Sequence, residues 1–177
     1  MSIEPLKAGA AKVDITPPLG TLINGDFVSH YARNIHDTLF AKALVLQKKD
    51  VSLAIVVVDI CLMDKDFLDG VKIEINNKTG IASSNILISG THTHAAGSIT
   101  SVLLAAADLP YRQSLFGRIV QAVEDAQANI KPAKAGFGSA DAPEHVLCRR
   151  YFMKDGFEKP NPITKQQDEV KTIGIST

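Results

Sequence analysis

Apolar residues in the first half of the chain are grouped in short runs that polar turns separate. Residues 39–47 and 51–59 are both rich in aliphatic side chains, and only a few polar residues lie between them. This arrangement predicts a β-hairpin. Residues 53–58 are apolar at every position, which predicts a central strand covered on both faces. Residues 85–89 predict a further buried strand.

Other segments add strands and loops to this pattern. Residues 8–15 alternate loosely between apolar and polar and stop before Pro17-Pro18, because proline cannot donate a hydrogen bond to a sheet. Residues 133–139 and 170–175 predict two more strands, whereas residues 151–162 predict a loop. The chain therefore has strand-forming segments along most of its length.

Two segments have the three- and four-residue apolar spacing of an amphipathic helix. Residues 64–79 are followed by Gly80, a typical C-cap, and residues 115–129 form a second helix that ends before Lys131-Pro132. Strands and helices thus alternate. This order predicts an α/β fold, a layered domain whose mixed, largely buried β-sheet is flanked by helices. We expect a single domain over residues 1–177.

Composition narrows the class of partner. The 19 Lys and Arg residues balance the 19 Asp and Glu residues, so nothing favours a nucleic-acid partner. No apolar run is long enough to predict a transmembrane segment. The first eleven residues lack the apolar core of a signal peptide, which favours a cytoplasmic protein as the sequence stands, with secretion or periplasmic export open if a leader was removed. Cys61 and Cys148 favour reduced thiols, although one disulfide stays open.

His92 and His94 are the main candidates for chemistry. They directly follow the predicted strand at residues 85–89, and residues two apart in an extended segment point the same way. Both imidazoles would then face one cleft at the carboxyl end of the strand, where they could bind zinc. The alternative is an ordinary surface or turn feature, since this is not the helical spacing of zinc proteases. The small residues 95–97 would let a ligand approach closely.

Other polar residues have competing interpretations. Asp14 favours a turn role over metal support, and Asp59 favours a place near the site because it ends a buried strand. His36-Asp37 is either a second polar corner of the site or an ordinary loop pair. Of the adjacent Arg149 and Arg150, at most one would serve a site, because neighbouring side chains point apart in an extended chain. His30 and His145 are interpreted as surface histidines.

Several segments together resemble the neutral/alkaline non-lysosomal ceramidases and their smaller bacterial relatives, in order and over almost the whole chain. The segments are AGAAKVDITPP at residues 8–18, His36-Asp37 with the strand after it, Asp59, ISGTHTH at residues 88–94, and Arg149-Arg150-Tyr151 with MKDG at residues 153–156. ISGTHTH is similar to the most specific of the family's motifs. The resemblance covers the N-terminal part of the catalytic domain in that family.

The resemblance implies a zinc-dependent hydrolase that cleaves the amide of N-acyl sphingosine or a related N-acyl amide. It implies that His92 is a zinc ligand, that His94 is a catalytic residue contacting the reacting part of the substrate, and that Arg149 is a catalytic arginine. The family's other zinc ligands, a second His, a Glu and a Tyr, lie downstream of the residues present here. We therefore expect one Zn²⁺ per complete site and weak or no zinc binding by this chain alone.

Two alternatives remain beside the hydrolase. One is a non-catalytic binding domain that keeps the fold without the chemistry, and the other is a structural module in which the histidines only pack. The substrate would be a small-molecule or lipid amide, and residues 95–97 depart from the Ser-Gly-Pro usual in the family. The chain ends inside a predicted strand, which predicts a truncated protein and an unpaired edge. Such an edge favours a homo-oligomer.

Overall fold

The computed structural model describes residues 4–25, 28–102, 105–145, 150–156, 158–160 and 170–173. These residues fall into two compact units, Met1–Ala135 and Gly136–Thr177. The proposal that both belong to one domain stays a prediction.

The first unit is built on a five-stranded mixed sheet and a separate two-stranded ribbon. Its strands in chain order are β1 Lys7–Asp14, β2 Leu22–Ile23, β3 His30–Tyr31, β4 Phe40–Lys48, β5 Val51–Val58, β6 Ile86–Gly90 and β7 Lys131–Pro132. The large sheet has the order β6-β5-β4-β1-β7, and β2 pairs with β3. β1 is antiparallel to β4 and β7, whereas β5 and β6 are parallel. The mixed sheet predicted from the sequence is confirmed.

The predicted hairpin is formed by β4 and β5, which are paired without a break from Ala41↔Val58 to Lys48↔Val51. A two-residue turn joins them, and its first residue, Lys49, has a φ of 53°. Positive φ angles suit the tight turns whose twist matches that of paired strands. The hairpin forms because two strand-forming segments rich in aliphatic residues are joined by a linker too short for a crossover connection.

Two helices pack against the sheet, α1 Lys65–Thr79 and α2 Leu109–Ala128. The Asp64 carboxylate caps α1 by accepting a hydrogen bond from the backbone N–H of Phe67, and Gly80, with a φ of 73°, ends that helix as predicted. α2 starts earlier than predicted. Asp108 caps it and proline occupies its first turn, where the missing N–H costs nothing. No helix in the described ranges combines the length and hydropathy that crossing a bilayer requires.

The expectation that residues 53–58 are covered on both faces is wrong. Ala54, Val56 and Val58 are buried in the core that both helices share, but Leu53 and Ile55 remain 42% and 37% exposed. Leu87 on β6 is 59% exposed. The buried and exposed residues alternate because successive side chains of a strand point to opposite faces. The core therefore lies on one face of the sheet, and we call the opposite face the outer face.

The structure after residue 130 differs in part from the strands and loop predicted for it. Residues 133–139 do not form a strand; the preceding Lys131–Pro132 pairs with β1 instead. In the second unit, residues predicted as a loop form a hairpin. Its strands are β8 Arg150–Met153 and β9 Glu158–Pro160, and β10 Val170–Ile173 joins them in the order β10-β8-β9. The final strand is thus confirmed at its described residues.

Asp64 ties α1, α2 and the preceding loop together. Its carboxylate accepts hydrogen bonds from the Thr100 hydroxyl at 2.7 Å and from Nη2 of Arg112 at 3.1 Å, and Arg112 also donates to the carbonyl of Ile99 at 2.6 Å. The Arg112 guanidinium holds the pKa of Asp64 well below its usual range. A carboxyl group with a lowered folded-state pKa stabilises the fold above its unfolded pKa, about 3.9, and loses that contribution as the pH falls further.

Asp64→Asn is therefore expected to lower the free energy of unfolding by about 1–2 kcal/mol near neutral pH, because the pair is partly exposed. The difference from the unchanged protein should shrink as the pH falls below about 4. Urea unfolding followed by circular dichroism over a pH series measures this. Asp66→Asn, which removes the same charge two residues away, is the matched control. A deficit of Asp64→Asn that does not change with pH would contradict the ion-pair explanation.

Candidate metal centre

The site lies where β5 and β6 end side by side. The two strands are parallel and their last pair is Val58↔Gly90, so the chain leaves both strands at the same edge. Hydrogen bonds continue past the strands, from the N–H of Thr91 to the carbonyl of Val58 and from the N–H of His92 to the carbonyl of Ile60. A Cβ on Gly90 would lie 3.0 Å from the Ile60 carbonyl oxygen, so glycine permits this close approach.

The rings of His92 and His94 face one another. Their Nε2 atoms are 3.3 Å apart, and the ring planes are inclined at 84°. The predicted proximity is therefore present, but its cause differs. His92 has a φ of 62°, a left-handed conformation, so the segment is not the extended chain that the two-residue period assumed. β6 is also an edge strand of the sheet rather than a central one.

The Nδ1 atom of His92 lies 2.8 Å from the carbonyl oxygen of Cys61. A carbonyl only accepts, so this nitrogen carries the proton and Nε2 keeps a free lone pair. A ring fixed by a backbone carbonyl in this way is typical of metal-binding histidines. Two nitrogen ligands on one tetrahedral zinc ion are about 3.3 Å apart, since each bond is about 2.0–2.1 Å long. The observed Nε2 separation matches that value.

Cys61 is a third donor, which the sequence analysis did not identify. Its Sγ lies 3.7 Å from Nδ1 of His92, and one ligand atom from each of Cys61, His92 and His94 can be chosen so that all lie within 4.8 Å of one another. Cys61 is buried, and burial raises the pKa of its thiol, whereas both histidines are exposed. The residue follows β5 as His92 follows β6. Its proximity could be inferred only once these strands were known to be parallel neighbours.

A glycine closes over the same cluster. Gly25 has a φ of 110°, and a Cβ there would lie 2.7 Å from Cγ of His94 and 3.0 Å from Sγ of Cys61. The preceding Asn24 is buried and holds the loop, since its side-chain amide donates to the Ser98 hydroxyl and to the Thr100 carbonyl. The lack of a side chain at Gly25 leaves room beside the sulfur and the imidazole. Nitrogen and sulfur donors in such a cradle fit a zinc-type ion.

An open cleft of about 770 Å³ lies beside His94. Ligand sites of enzymes commonly have this size. Its walls include apolar side chains of Ile23, Tyr31, Ile35 and Leu39, and its polar lining includes His30, His36 and Asp37. His36-Asp37 thus lines the cleft as a polar corner. Nδ1 of His36 lies 2.9 Å from the Asp37 carboxylate, which raises the pKa of this exposed imidazole.

Other candidate residues have structural partners or lie outside the description. The Asp59 carboxylate accepts hydrogen bonds from the N–H of Phe40 and from Lys42, so it joins β4 to β5 and is not among the three clustered donors. Asp14 accepts from the N–H of Thr16, which confirms its turn role. Arg149 lies outside the described residues, as does the His145 side chain.

The small residues after the histidines serve packing rather than ligand approach. Ala96 is fully buried, and a Cβ on Gly97 would lie 2.6 Å from the ring of Tyr111 and 2.9 Å from Thr21. The Tyr111 hydroxyl in turn donates to the carbonyl of Ile15 at 2.7 Å. Gly97 therefore lets α2 lie close to the loop that follows the histidines.

Comparison with known proteins decides the family. Residues 6–151 match the family model described as neutral/alkaline non-lysosomal ceramidase, N-terminal. The chain belongs to this family. A search of curated proteins gave no match.

Solved structures agree with this ceramidase-family fold. The crystal structure of neutral ceramidase from Pseudomonas aeruginosa is similar with a TM-score of 0.63 and 20% sequence identity, over 73% of this chain and 22% of that one. A structure titled "Ceramidase complexed with C2" is similar with a TM-score of 0.63 and 21% identity, over the same shares. The ceramidase-family chain thus spans about a fifth of the length of these structures, and at such identity the likeness shows the fold alone.

Proposed function

We propose that this chain carries part of the active site of a zinc-dependent amide hydrolase of the ceramidase type, acting on N-acyl sphingosine or a related N-acyl amide. The observation that supports this most directly is the 3.3 Å separation of the His92 and His94 Nε2 atoms at the carboxyl ends of two parallel strands. Family membership adds the reaction class.

His92 is the proposed zinc ligand. Its Nε2 has the free lone pair, and the Cys61 carbonyl holds its other nitrogen at 2.8 Å, so the ring cannot turn without losing that hydrogen bond. When bound, zinc polarises the amide carbonyl and lowers the pKa of water to about 7. The part of His92 is to hold the ion beside His94, which lines the cleft.

His94 is the proposed acid-base residue. It is exposed, it lines the cleft, and its Nε2 is directed toward that of His92. An imidazole there can take a proton from the attacking water and return it to the leaving amine. Arg149 is proposed to stabilise negative charge on the carbonyl oxygen in the transition state. This role rests on the family resemblance, because Arg149 is not among the described residues.

The substrate proposal rests on the cleft. Its apolar side chains suit a hydrocarbon chain, and His94 lies on the same wall as Thr93 and Ala95. An amide carbonyl beside His94 would place an acyl or sphingoid chain against Ile35 and Leu39. The zero formal charge offers no attraction for nucleic acid. The partner is therefore a small-molecule or lipid amide.

By the family resemblance, these residues supply too few zinc ligands for a working site. Catalytic zinc takes roughly three protein ligands. The family resemblance gives His92 alone as a ligand here and puts a histidine, a glutamate and a tyrosine downstream. We therefore propose hydrolysis for a protein in which the downstream segment is present.

The test is to compare hydrolysis of a fluorescent N-acyl sphingosine with zinc content in a version that includes the downstream segment. His94→Ala is expected to lower turnover by about 10²- to 10⁴-fold while zinc content is retained. Gln121→Ala, at an exposed position of α2 that is not part of the cleft lining, is the control and should keep the activity. If the unchanged protein holds zinc but cleaves none of a series of N-acyl amides, the chain is a non-catalytic binding domain and the hydrolase proposal is wrong.

Self-association is a further part of the proposal. The outer face of the sheet exposes the side chains of Leu44, Leu53, Ile55 and Leu87. Contiguous exposed apolar surface favours association with another chain. We expect a homo-oligomer at micromolar concentration, measured by light scattering, and a shift toward monomer in Leu53→Lys. A monodisperse monomer for the unchanged chain would contradict this expectation.

A further inference from the structure

We propose that Asn24 is a positioning residue, whose side-chain amide fixes Gly25 against the imidazole of His94 and so sets the direction of that ring. The inference rests on the proposed function, in which His94 transfers protons during amide hydrolysis. In this role Asn24 touches neither the substrate nor the metal. It acts through His94, so its loss should slow turnover without weakening zinc binding.

The His94 ring depends on its few contacts because burial does not hold it. The residue is exposed, and exposed side chains change rotamer rapidly unless their neighbours restrain them. Its Nε2 lies 3.3 Å from Nε2 of His92, the atom proposed to bind zinc. Proton transfer requires the imidazole to be within hydrogen-bond reach of the group that it serves. The contacts that orient this ring therefore bear directly on turnover.

Gly25 supplies one of these contacts. A Cβ at this position would lie 2.7 Å from Cγ and 3.0 Å from Cδ2 of His94. The hydrogen that glycine carries there thus points at the ring, and the backbone behind it blocks rotation in that direction. The φ of Gly25 is 110°, which glycine permits but does not enforce, because it adopts many other conformations as readily. A neighbouring residue must therefore hold the loop in place.

Asn24 provides this restraint. Its Nδ2 donates to the Ser98 hydroxyl at 3.2 Å and to the Thr100 carbonyl at 3.1 Å. Its backbone N–H donates to the Ala96 carbonyl at 3.2 Å. Thr100 is itself anchored at the start of α1, because its hydroxyl donates to the Asp64 carboxylate at 2.7 Å. Three hydrogen bonds thus fix the residue before Gly25 to a segment that α1 holds.

The burial of Asn24 indicates that its amide does more than fill space. The residue is 2% exposed, and within the described part of the chain its Oδ1 atom has no hydrogen-bond partner. An unpaired buried acceptor carries a free-energy cost that an apolar side chain would avoid. The contribution of this side chain is therefore the pair of hydrogen bonds that its NH₂ group donates.

The test measures kcat, KM and zinc content of Asn24→Ala and Asn24→Asp in a version that includes the downstream segment. Both changes remove the donating NH₂ group, and aspartate keeps the size of the side chain. We expect kcat to fall about 10- to 10²-fold in each, because a small misplacement of a reacting group costs about that much, while KM and zinc content stay unchanged. Asn85→Ala is the matched control and should keep kcat. The Asn85 amide also joins two segments, by donating to the Ser52 carbonyl at 3.2 Å, but it precedes β6 whereas the site follows that strand.

A double-mutant cycle with His94→Ala separates positioning from a general structural role. If Asn24 acts through His94, adding Asn24→Ala to His94→Ala lowers kcat no further. A structural effect independent of His94 would lower kcat by the same factor in both backgrounds and would overturn the inference. Loss of zinc from Asn24→Ala, or an unchanged kcat in that variant, would also overturn it.

An NMR experiment on the 177-residue chain tests the positioning without hydrolysis. Nuclear Overhauser effects should join the α-hydrogens of Gly25 to the Cδ2 hydrogen of His94 in the unchanged chain and in Asn85→Ala, and should be lost in Asn24→Ala. Their absence from the unchanged chain, or their persistence in Asn24→Ala, contradicts the inference. If Asn24→Ala does not fold, Ser98→Ala replaces it and should weaken the same effects. If these effects behave as expected but the longer protein cleaves no N-acyl amide, the proposed function is wrong and the positioning of the ring by Asn24 stands.

Discussion

Replacing His92 with alanine is expected to abolish N-acyl amide hydrolysis in a protein that includes the downstream segment, and to lower its zinc content. The reason is that His92 is the proposed ligand held in place by the Cys61 carbonyl. Losing an acid-base group costs about 10²- to 10⁴-fold in rate. Losing the ligand removes the ion that activates both reactants, so the loss should be larger. Hydrolysis and elemental zinc are measured on the same samples.

His94→Ala measured beside it makes the result specific. The two residues are neighbours of the same type, so a general disturbance of the loop would affect both variants alike. We expect His92→Ala to lose zinc and His94→Ala to keep it. Equal zinc loss in both variants would assign both histidines as ligands in the longer protein. Unchanged hydrolysis by His92→Ala would remove the zinc-hydrolase proposal.

The second large effect concerns folding. Gly9 lies in β1 under the end of α2, and a Cβ there would lie 2.0 Å from the carbonyl oxygen of Ala126 and 2.8 Å from the backbone nitrogen of Ile130. Both atoms are backbone, so no side-chain rotation relieves the contact. Gly9→Ala is expected to lower the free energy of unfolding by about 3 kcal/mol or more. Gly9→Val should prevent accumulation of the folded chain.

Gly117→Ala is the matched control for this change. Gly117 is exposed within α2, and no atom lies within 4 Å of its missing Cβ. Alanine there should raise stability by up to about 1 kcal/mol, because it favours the helix more than glycine does. Urea midpoints followed by circular dichroism compare the two variants. If Gly9→Ala is as stable as the unchanged chain, the close packing of α2 on β1 is incorrect.

The sequence predicts those parts of the fold that depend on neighbouring residues. The β4–β5 hairpin follows from two runs rich in aliphatic residues and the short turn between them. Gly80 ends α1 because the backbone there has a left-handed conformation, which glycine adopts without strain. The sequence predicts a start of α2 several residues after the observed one, because the apolar spacing becomes regular only after the capped first turn. The sequence does not predict the β8–β9 hairpin, because its strands are only four and three residues long and the second, Glu158–Pro160, has no apolar alternation.

The candidate site also has one part that local sequence predicts and one part that depends on long-range strand pairing. The histidine pair is visible in the sequence because its members are two residues apart, although the backbone that brings them together is left-handed at His92 rather than extended. Cys61 lies 31 residues before His92 and reaches it only through the parallel pairing of β5 and β6. One-sided burial of the sheet also depends on where both helices pack. Strand pairing and helix packing of this kind cannot be predicted from a local apolar pattern.

The left-handed backbone at His92 makes the choice of replacement residue matter. A residue with a Cβ pays about 1 kcal/mol in that conformation, whereas glycine adopts it freely. Alanine therefore removes the imidazole but keeps the conformational penalty, while glycine removes both and can leave a space the size of the lost ring. A His92→Gly protein could accept free imidazole from solution into that space. This variant separates the effect of the imidazole ring from the effect of the strained backbone. Restored metal binding on adding imidazole would show the contribution of the ring alone.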